Sequence, residues 1–516
     1  MTDLNKSIIY EIYPTSFYDS DGDGIGDLKG IAEKLDYVKE LGADIVWLNP
    51  IYKSPFKDGG YDVQDYYAVD EKFGTFEDFR ALIKKAHALG IKVLLDLVIG
   101  HTSDKHPWFK ASKREKKNKY SDYYIWTSNI FTGGENTVKG LAKRNGNYVV
   151  NYYSFQPALN YGYSIEKRDT SDPWASEEWK TDYKDERLQP LKEELLKMML
   201  FWLENGADGF RVDLAPNMIK GKLDLNAMKW FWGYFIGESK KKYPGAIFLA
   251  EWGEPEKSLK CGFDIDYFSH CSKGYNELFR ADPGSNLLSA FENGHSYFSE
   301  SGKGDKESFL SYAESLSTNG DNGYYCVPSG YHDMIRLSFN RDEDAMKCVF
   351  AFLLTYKNLP MIYYGDEIGV RHNFKVNKDG GYIRTGARTP MQWTNGKNRG
   401  FSKNDKIYLP AGCEEEISVE SQEKRADSLL NTVKMLVRLR KTLPALAYDA
   451  ETKTEKSAYP FVYERKKDGQ KLLVAINPAA TEFTLDRKIK KVIFANNAEY
   501  CGKIVLKAKS FLIAEE

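Results

Sequence analysis

The stretch Gly206-Ala-Asp-Gly-Phe-Arg-Val-Asp213 organises the chain, because it joins a predicted helix to a short predicted strand that ends in charged residues. From Pro190 to Leu203 the apolar residues recur every three or four positions, as in a helix with one buried face. Arg211 and Asp213 alternate with apolar neighbours, so both side chains face the same way. In a parallel barrel, a charged residue at the carboxyl end of a strand lies at the mouth where reactions occur. An isolated Arg-x-Asp is as often a structural ion pair, but the same pattern recurs along this chain.

A helix that ends near a glycine and leads into an apolar strand occurs at Leu41-Gly42, Leu89-Gly90 and Asn205-Gly206. Helices that alternate with apolar strands predict parallel βα units. The other predicted strands are Ser7–Pro14, Ile45–Leu48, Val93–Val98, Ala246–Ala250 and Met361–Tyr364. This pattern spans most of the chain and predicts an α/β fold built on an eight-stranded (β/α)8 TIM barrel.

Two segments depart from the barrel pattern. Residues 101–170 are polar, rich in Lys, Asn and Tyr, and without helical period, so we predict an inserted domain after the third strand. Short strands separated by turn residues predict an all-β sandwich domain over residues 445–516. The barrel is therefore predicted to comprise residues 1–100 and 171–444.

The composition argues against several classes of protein. The chain of 516 residues has 73 Lys and Arg against 74 Asp and Glu, so neither a nucleic acid nor a membrane is expected as a partner. The sequence begins without an apolar signal core and has no apolar run of transmembrane length, so neither a leader nor a membrane span is expected. The six cysteines contain no Cys-x-x-Cys pair, which favours a cytoplasmic setting over a zinc or disulfide framework. The 35 Tyr, 28 Phe and 10 Trp are compatible with carbohydrate binding, because sugar rings pack on aromatic faces, and a large aromatic core is the alternative explanation. The oligomeric state stays open.

Seven short motifs follow one another along the chain. They are Asp19–Asp27, Asp96–His101, Gly209–Asp213, Ala250–Trp252, His332-Asp333, Tyr363–Gly369 and Ala387–Trp393. Each motif alone is weak, but in this order they resemble the α-amylase superfamily, glycoside hydrolase family thirteen. The similarity runs from Tyr10 to the end of the chain, and it is strongest to the oligo-1,6-glucosidase and α-glucosidase branch.

The resemblance implies that Asp213 is the nucleophile, Glu251 the acid/base and Asp333 a third, stabilising carboxylate. Retaining glycoside hydrolysis needs two carboxyl groups about 5–5.5 Å apart, one ionised and one that holds a proton near neutral pH. Arg211 beside Asp213 favours the ionised form of that carboxylate. The apolar residues that flank Glu251 suit the protonated acid.

The third carboxylate has two candidates, because neither matches the family motif Asn-His-Asp fully. Tyr331-His332-Asp333 keeps His-Asp and precedes the Tyr-Tyr-Gly motif by the length of a helix and a strand, whereas Asn319-Gly-Asp321 lacks the histidine. We therefore predict Asp333. His101 and His332, at two predicted strand ends, are expected to be neutral donors to sugar hydroxyls, although a lone histidine is more often a core residue.

The choice between exo and endo action is predicted from two places in the chain, Asp58-Gly-Gly-Tyr61 and Arg388. In exo-acting relatives an Asp pairs with an Arg and closes the pocket behind the non-reducing glucose. The resemblance implies that Asp58 pairs with Arg388 and that Tyr61 stacks on the same ring. An arginine fork can bind a carboxylate and a sugar hydroxyl together. A pocket closed in this way admits only the ends of chains.

The acidic loop between the first strand and the first helix is a candidate metal site. It offers the carboxylates of Asp19, Asp21, Asp23 and Asp27 and the carbonyl of Ile25. Hard oxygen ligands at alternate positions suit a structural Ca²⁺, and Mg²⁺ is also possible on this pattern. The loop lacks the glutamate at position twelve of an EF-hand, and a solvated acidic turn is the alternative.

The function predicted from this resemblance is a retaining, exo-acting α-glucosidase that removes glucose from short malto- or isomalto-oligosaccharides. An enzyme that converts sucrose or trehalose by glucosyl transfer would use the same carboxylates. A homologue that only binds or senses sugars, without catalysis, is the alternative from another class. The resemblance also implies that Leu214, the residue after Asp213, weakly favours action on 1,6 bonds, but it does not decide the linkage.

Overall fold

A computed structural model describes residues 3–134, 136–164, 177–286, 294–318 and 323–516. Eight parallel strands form a closed barrel in which strands adjacent in the chain are also neighbours, and this confirms the predicted (β/α)8 fold. In chain order the strands are β1 Ile9–Ile12, β2 Ile45–Leu48, β3 Lys92–Leu97, β4 Gly209–Val212, β5 Ile247–Ala250, β6 Ile265–Tyr267, β7 Tyr324–Pro328 and β8 Leu359–Tyr363.

Helices alternate with the barrel strands, and local sequence signals set their ends. Asp27 precedes the first helix and its Oδ1 accepts a hydrogen bond from the Gly30 amide at 2.8 Å, as an N-cap does. Gly42 ends the same helix at φ 92°, in the left-handed region that favours glycine. The helices are Leu28–Leu41, Phe76–Ala88, Pro107–Ser112, Gln189–Glu204, Leu225–Lys242, Pro255–Ser258, Tyr275–Phe279, Glu307–Thr318, Glu343–Thr355, Val419–Glu423 and Leu429–Thr442.

Two barrel strands, β6 and β7, have no counterpart among the strands predicted from sequence. β6 is three residues long, and its central residue is a buried aspartate, Asp266. The carboxylate of Asp266 accepts hydrogen bonds from the backbone amides of residues 252–254. β7 ends in Pro328, which counts against a strand. The central aspartate of β6 and the terminal proline of β7 weaken the local strand signals, so only the barrel pattern as a whole implied these two strands.

The segment after β3 has a small core of its own. Its buried apolar residues are Ile125, Val149, Ala158 and Tyr163, with Trp179 packed against them. In the described part of this segment, the regular structure consists of the helix Pro107–Ser112, isolated bridges and the short strands Thr137–Val138, Tyr148–Val149 and Tyr163–Ser164. The segment contains one short helix that its sequence pattern did not predict, and the bounds of the inserted domain stay a prediction. Its residues 135 and 165–170 lie outside the described residues.

The carboxy-terminal part is an all-β domain, as the sequence predicts. Its strands are Glu451–Thr454, Phe461–Lys467, Gln470–Asn477, Phe483–Leu485, Lys491–Tyr500 and Ile504–Glu515. The last strand pairs with three others, so the six form one connected antiparallel sheet. Buried apolar residues such as Val462, Leu473 and Leu512 form its core.

Internal contacts divide the chain into two compact units. The first unit contains Leu48–Lys84 and Val93–Asp266, and the second contains Thr2–Trp47, Lys85–Lys92 and Tyr267–Glu516. The domain boundaries predicted from sequence remain a prediction. None of the described helices combines the length and the apolar character that crossing a bilayer requires.

Candidate active site

In the first unit one buried guanidinium binds three carboxylates. Arg211 Nη1 lies 2.7 Å from Asp96 Oδ1 and 3.0 Å from Asp213 Oδ1, and its Nη2 lies 2.6 Å from Glu251 Oε2. The Arg211 and Asp96 side chains are at most 1% exposed, whereas Asp213 and Glu251 retain 8% and 13%. The structure therefore brings together the predicted nucleophile and the predicted acid/base, each directly after a barrel strand.

Asp96, the inner member of this cluster, begins the motif Asp96–His101, but its role was not predicted from sequence. It lies in β3, beside Arg211 of β4 in the strand register. Its Oδ2 accepts a 2.8 Å hydrogen bond from the Tyr61 hydroxyl, and that hydroxyl accepts one from Asn49 Nδ2 at 3.1 Å. A carboxylate in an otherwise apolar strand was the available signal, because a buried charge needs a partner.

Glu251 has a more polar environment than its sequence neighbours indicate. Besides Arg211, its Oε2 accepts a 3.0 Å hydrogen bond from the Leu214 amide. Leu214 holds a left-handed backbone, with φ 47° and ψ 44°, which is uncommon for a bulky residue and accompanies functional sites. The apolar residues that flank Glu251 in sequence therefore do not describe its environment in the fold, because its polar partners come from β4 and the turn after it.

His101 and Tyr61 belong to the same unit. His101 Nε2 lies 3.1 Å from the Tyr61 carbonyl oxygen, and its Nδ1 lies 3.0 Å from Asn151 Nδ2. Burial lowers the pKa of His101 to about 4, so the ring is neutral near pH 7, as predicted. Whether His101 and Tyr61 contact a sugar stays a prediction.

Asp58 is buried, and its Oδ2 accepts a 2.7 Å hydrogen bond from Gln156 Nε2 of the inserted segment. Gln156 is a contact that the sequence analysis missed, because the two residues are 98 positions apart. Asp58 belongs to the first unit and Arg388 to the second, and their pairing stays a prediction.

The second unit holds a cluster around Asp333. Asp333 Oδ1 lies 2.6 Å from Arg388 Nη2 and 2.9 Å from Arg384 Nη1, and its Oδ2 lies 3.3 Å from His332 Nε2. Burial alone would raise the pKa of Asp333, but His332, Arg384 and Arg388 together hold it well below its usual range. Asp333 is therefore an ionised carboxylate among three donors. Asp321, the alternative third carboxylate, lies outside the described residues.

His332 differs from the prediction of a neutral donor. Its Nδ1 lies 2.9 Å from Glu11 Oε1, so the buried ring bridges two carboxylates, those of Glu11 and Asp333. Burial lowers the pKa of His332, but the two carboxylates outweigh it and raise the pKa to about 9. His332 is thus an imidazolium near pH 7. Glu11 is 321 residues away in the chain, so local sequence could not give this charge state.

This charge state predicts how stability depends on pH. The pKa of His332 is about 9 in the fold, against about 6.5 in an unfolded chain, so its protonation stabilises the fold fully below pH 6.5. That contribution, on the order of 3 kcal/mol, is lost as the pH rises through about 9. We expect denaturant titrations at pH 6, 7.5 and 9.5 to show that the free energy of unfolding falls steeply as the pH rises, and that it falls less in His332→Gln. An equal dependence on pH in both proteins would show that His332 is neutral.

The acidic loop between β1 and the first helix brings together three of its four aspartates. Ligand oxygens of Asp19, Asp21 and Asp27 lie within 4.8 Å of one another, and Asp19 and Asp27 are buried. Asp23 is not in this group, contrary to the expectation, and its Oδ1 accepts the Ile25 amide at 2.7 Å. The loop turns back on itself there, so alternate positions do not all converge.

Several known proteins are similar to this chain in sequence and in fold. The family model described as "Alpha amylase, catalytic domain" matches residues 11–230 and 285–449. An oligo-1,6-glucosidase of Bacillus cereus is 31% identical over 92% of this chain and 91% of its own length. The trehalose synthase/amylase TreS of Mycolicibacterium smegmatis is 30% identical over 86% of this chain and 78% of its own. Among solved structures, the alpha-glucosyl transfer enzyme XgtA has a TM-score of 0.80 and 26% identity, with 99% of each chain covered.

Proposed function

Because the chain belongs to the α-amylase family, whose catalytic-domain model matches most of it, we propose that it is a retaining, exo-acting α-glucosidase on short malto- or isomalto-oligosaccharides. In this proposal Asp213 is the nucleophile, Glu251 the acid/base and Asp333 the third carboxylate. The oligo-1,6-glucosidase relative supports the choice of substrate class.

The shared guanidinium of Arg211 is the observation that carries the proposal. Its Nη1 contacts Asp213 at 3.0 Å and its Nη2 contacts Glu251 at 2.6 Å, so one guanidinium bridges the two carboxylates and keeps them close together. Retaining enzymes need two carboxyl groups at about 5–5.5 Å, and inverting enzymes need a wider gap for water. The arrangement therefore favours double displacement.

The steps follow from the positions of these two groups. Asp213 attacks the anomeric carbon while Glu251 gives a proton to the departing glycosidic oxygen, which forms a glucosyl ester on Asp213. Glu251 then takes a proton from water, and the water oxygen displaces Asp213 from the anomeric carbon. Two inversions leave the α configuration of glucose unchanged.

The configuration of the first product tests the proposal. We would hydrolyse an aryl α-glucoside and follow the released glucose by proton NMR within the first minutes. α-Glucose as the initial product supports the retaining mechanism. β-Glucose would refute it, and the absence of both would favour a protein that binds sugars without catalysis.

Glucosyl transfer is the second candidate, because relatives of this chain include a trehalose synthase and a glucosyl transfer enzyme. The same glucosyl ester would then react with a sugar hydroxyl instead of water. Product analysis on maltose, isomaltose, sucrose and trehalose, with and without added acceptor sugar, distinguishes the two. Free glucose as the main product supports the hydrolase, and a new disaccharide as the main product supports the transferase.

Exo action gives the next prediction. If Asp58 and Arg388 close the pocket behind the first glucose, maltotriose or isomaltotriose releases only glucose and a disaccharide at early times. A trisaccharide blocked at its non-reducing 4-hydroxyl is not cleaved. Asp58→Ala removes the carboxylate that closes the pocket in this proposal and leaves Gln156 without its hydrogen-bond acceptor, so we expect a raised KM and a lower melting temperature.

Asp58→Asn is the matched control, since its amide oxygen still accepts the hydrogen bond from Gln156. We expect Asp58→Asn to raise KM and to keep the melting temperature closer to wild type than Asp58→Ala does. Cleavage of the blocked trisaccharide by the wild-type protein would contradict exo action.

A structural Ca²⁺ at the acidic loop is also part of the proposal, with Mg²⁺ as the alternative ion. The donor set fits, because three carboxylates converge within 4.8 Å and hard oxygens are the ligands that Ca²⁺ prefers. Asp19, Asp21 and Asp27 would hold the ion, and it would link the loop to the start of the first helix, which Asp27 caps.

Chelation should therefore lower the melting temperature without abolishing activity. An ion present at 100 times its Kd stabilises the fold by about 2.7 kcal/mol, a contribution that chelation removes. Differential scanning calorimetry after dialysis against EDTA, and after adding back Ca²⁺ or Mg²⁺, measures the effect. Asp21→Asn, at the exposed member of the group, should abolish the difference. A wild-type melting curve that EDTA leaves unchanged would show a plain acidic turn.

A further inference from the structure

A chain of hydrogen bonds in the first unit runs from Lys220 to the backbone carbonyl of Tyr61, a residue whose hydroxyl donates to Asp96 of the carboxylate cluster. Lys220 Nζ lies 2.7 Å from Asn151 Oδ1 and 2.9 Å from the Asn217 carbonyl oxygen. Asn151 Nδ2 lies 3.0 Å from His101 Nδ1, and His101 Nε2 lies 3.1 Å from the Tyr61 carbonyl oxygen. The proposed mechanism uses neither Lys220 nor Asn151.

The direction of each hydrogen bond follows from the ammonium group. An ammonium only donates, so the amide oxygen of Asn151 must face Lys220 and its NH₂ must face His101. His101 Nδ1 then has to accept, which leaves the ring proton on Nε2, where it is donated to the Tyr61 carbonyl. We propose that Lys220 is a positioning residue that fixes His101 as the neutral tautomer protonated on Nε2.

The opposite arrangement is unfavourable at both ends of this chain. A flipped Asn151 amide would place its NH₂ against the ammonium of Lys220, with two donors facing each other. A proton on His101 Nδ1 would leave Nε2 and the Tyr61 carbonyl as two acceptors 3.1 Å apart.

The surroundings of the two groups agree with this assignment. Burial lowers the pKa of Lys220 to about 8, so the amine is still mainly charged at pH 7. Burial is also the main cause of the low pKa of His101, and the charge of Lys220 lowers it further. His101 is 2% exposed, so bulk water contributes little to holding its ring.

The tautomer of His101 affects the candidate active site because it determines how His101 contacts Tyr61. The Tyr61 carbonyl is held by His101, and the Tyr61 hydroxyl is held on Asp96, which binds Arg211. Loss of the Nε2 proton would repel the Tyr61 carbonyl and disturb the pocket wall. This effect on catalysis rests on the proposed function, whereas the tautomer can be read without substrate.

The test combines NMR with kinetics. The protein has 7 histidines, so ¹⁵N-histidine labelling resolves few signals, and His101→Asn assigns the relevant one. We expect wild-type His101 to be protonated on Nε2 alone from pH 6 to 8. In Lys220→Met a second tautomer should become populated, and kcat/KM on an aryl α-glucoside should fall about tenfold, as when a hydrogen bond to a charged group is lost.

Two further variants separate positioning from packing. Lys220→Arg should restore the tautomer and most of the activity, because a guanidinium also only donates. Asn151→Asp should protonate both ring nitrogens and add an ionisation to the pH profile of kcat/KM. Lys222→Met, at an exposed lysine two positions further on, is the matched control and should change neither the His101 tautomer nor kcat/KM.

A wild-type ring protonated on Nδ1 would overturn the proposal. So would Lys220→Met with slower turnover but an unchanged His101 spectrum, since that result shows packing alone. If the wild-type protein does not hydrolyse the glucoside, the proposed function fails, and the NMR result still decides the role of Lys220.

Discussion

Asp213→Asn is expected to reduce kcat on an aryl α-glucoside by at least about 10⁴-fold, because a covalent mechanism loses its nucleophile. The fold should survive, since the Asn oxygen can still accept the hydrogen bond that Arg211 Nη1 donates to Asp213 at 3.0 Å. Initial rates of purified protein measure the loss, and melting curves check that the variant is folded.

Two further variants test whether the loss comes from the missing nucleophile. Asp486→Asn removes a carboxylate that is 84% exposed in the carboxy-terminal domain and should leave kcat unchanged. Asp213→Gly with added azide should form β-glucosyl azide, because the small anion attacks the anomeric carbon directly and inverts it. Wild-type rates in Asp213→Asn would contradict the proposed mechanism.

Asp333→Asn is expected to lower kcat/KM by about 10³-fold, at the upper end of what one preorganised electrostatic group contributes. The variant leaves His332, Arg384 and Arg388 without the carboxylate that they share. Part of the loss should also appear in the melting temperature, because three donors lose a common partner.

Asp321→Asn is the comparison that decides between the two candidates for the third carboxylate. We expect kcat/KM of Asp321→Asn within about twofold of wild type, as for a carboxylate that stabilises no transition state. Equal or greater damage at Asp321 would show that the choice of Asp333 is wrong. Both variants are to be assayed on one substrate at one pH.

Local chemistry explains why much of the barrel was predictable from sequence. The helix Gln189–Glu204, its end near Gly206 and the strand Gly209–Val212 follow from apolar spacing and end signals in one short stretch. Such signals act over a few residues, and they repeat along the chain. The strands Ile265–Tyr267 and Tyr324–Pro328 were not predicted, because an aspartate lies at the centre of the first and a proline ends the second.

The candidate site was predictable only in part. The order of the motifs singled out Asp213, Glu251 and Asp333, and the structure places each after the carboxyl end of a barrel strand. Arg384, which contacts Asp333 at 2.9 Å, was missed because it lies in a short 3₁₀ helix, Tyr382–Ala387, that contains no recognised motif and is 51 residues away. Its one signal in the sequence was an arginine four positions before Arg388.

The sequence by itself determined the fold class, the family and the positions of the principal carboxylates, because these depend on local periodicity and motif order. Only the tertiary structure decided which charges meet. It placed Arg211 between Asp213 and Glu251, and His332 between Glu11 and Asp333. The charge state of a buried group depends on desolvation and on neighbours from distant strands, and neither is encoded in the residues beside it.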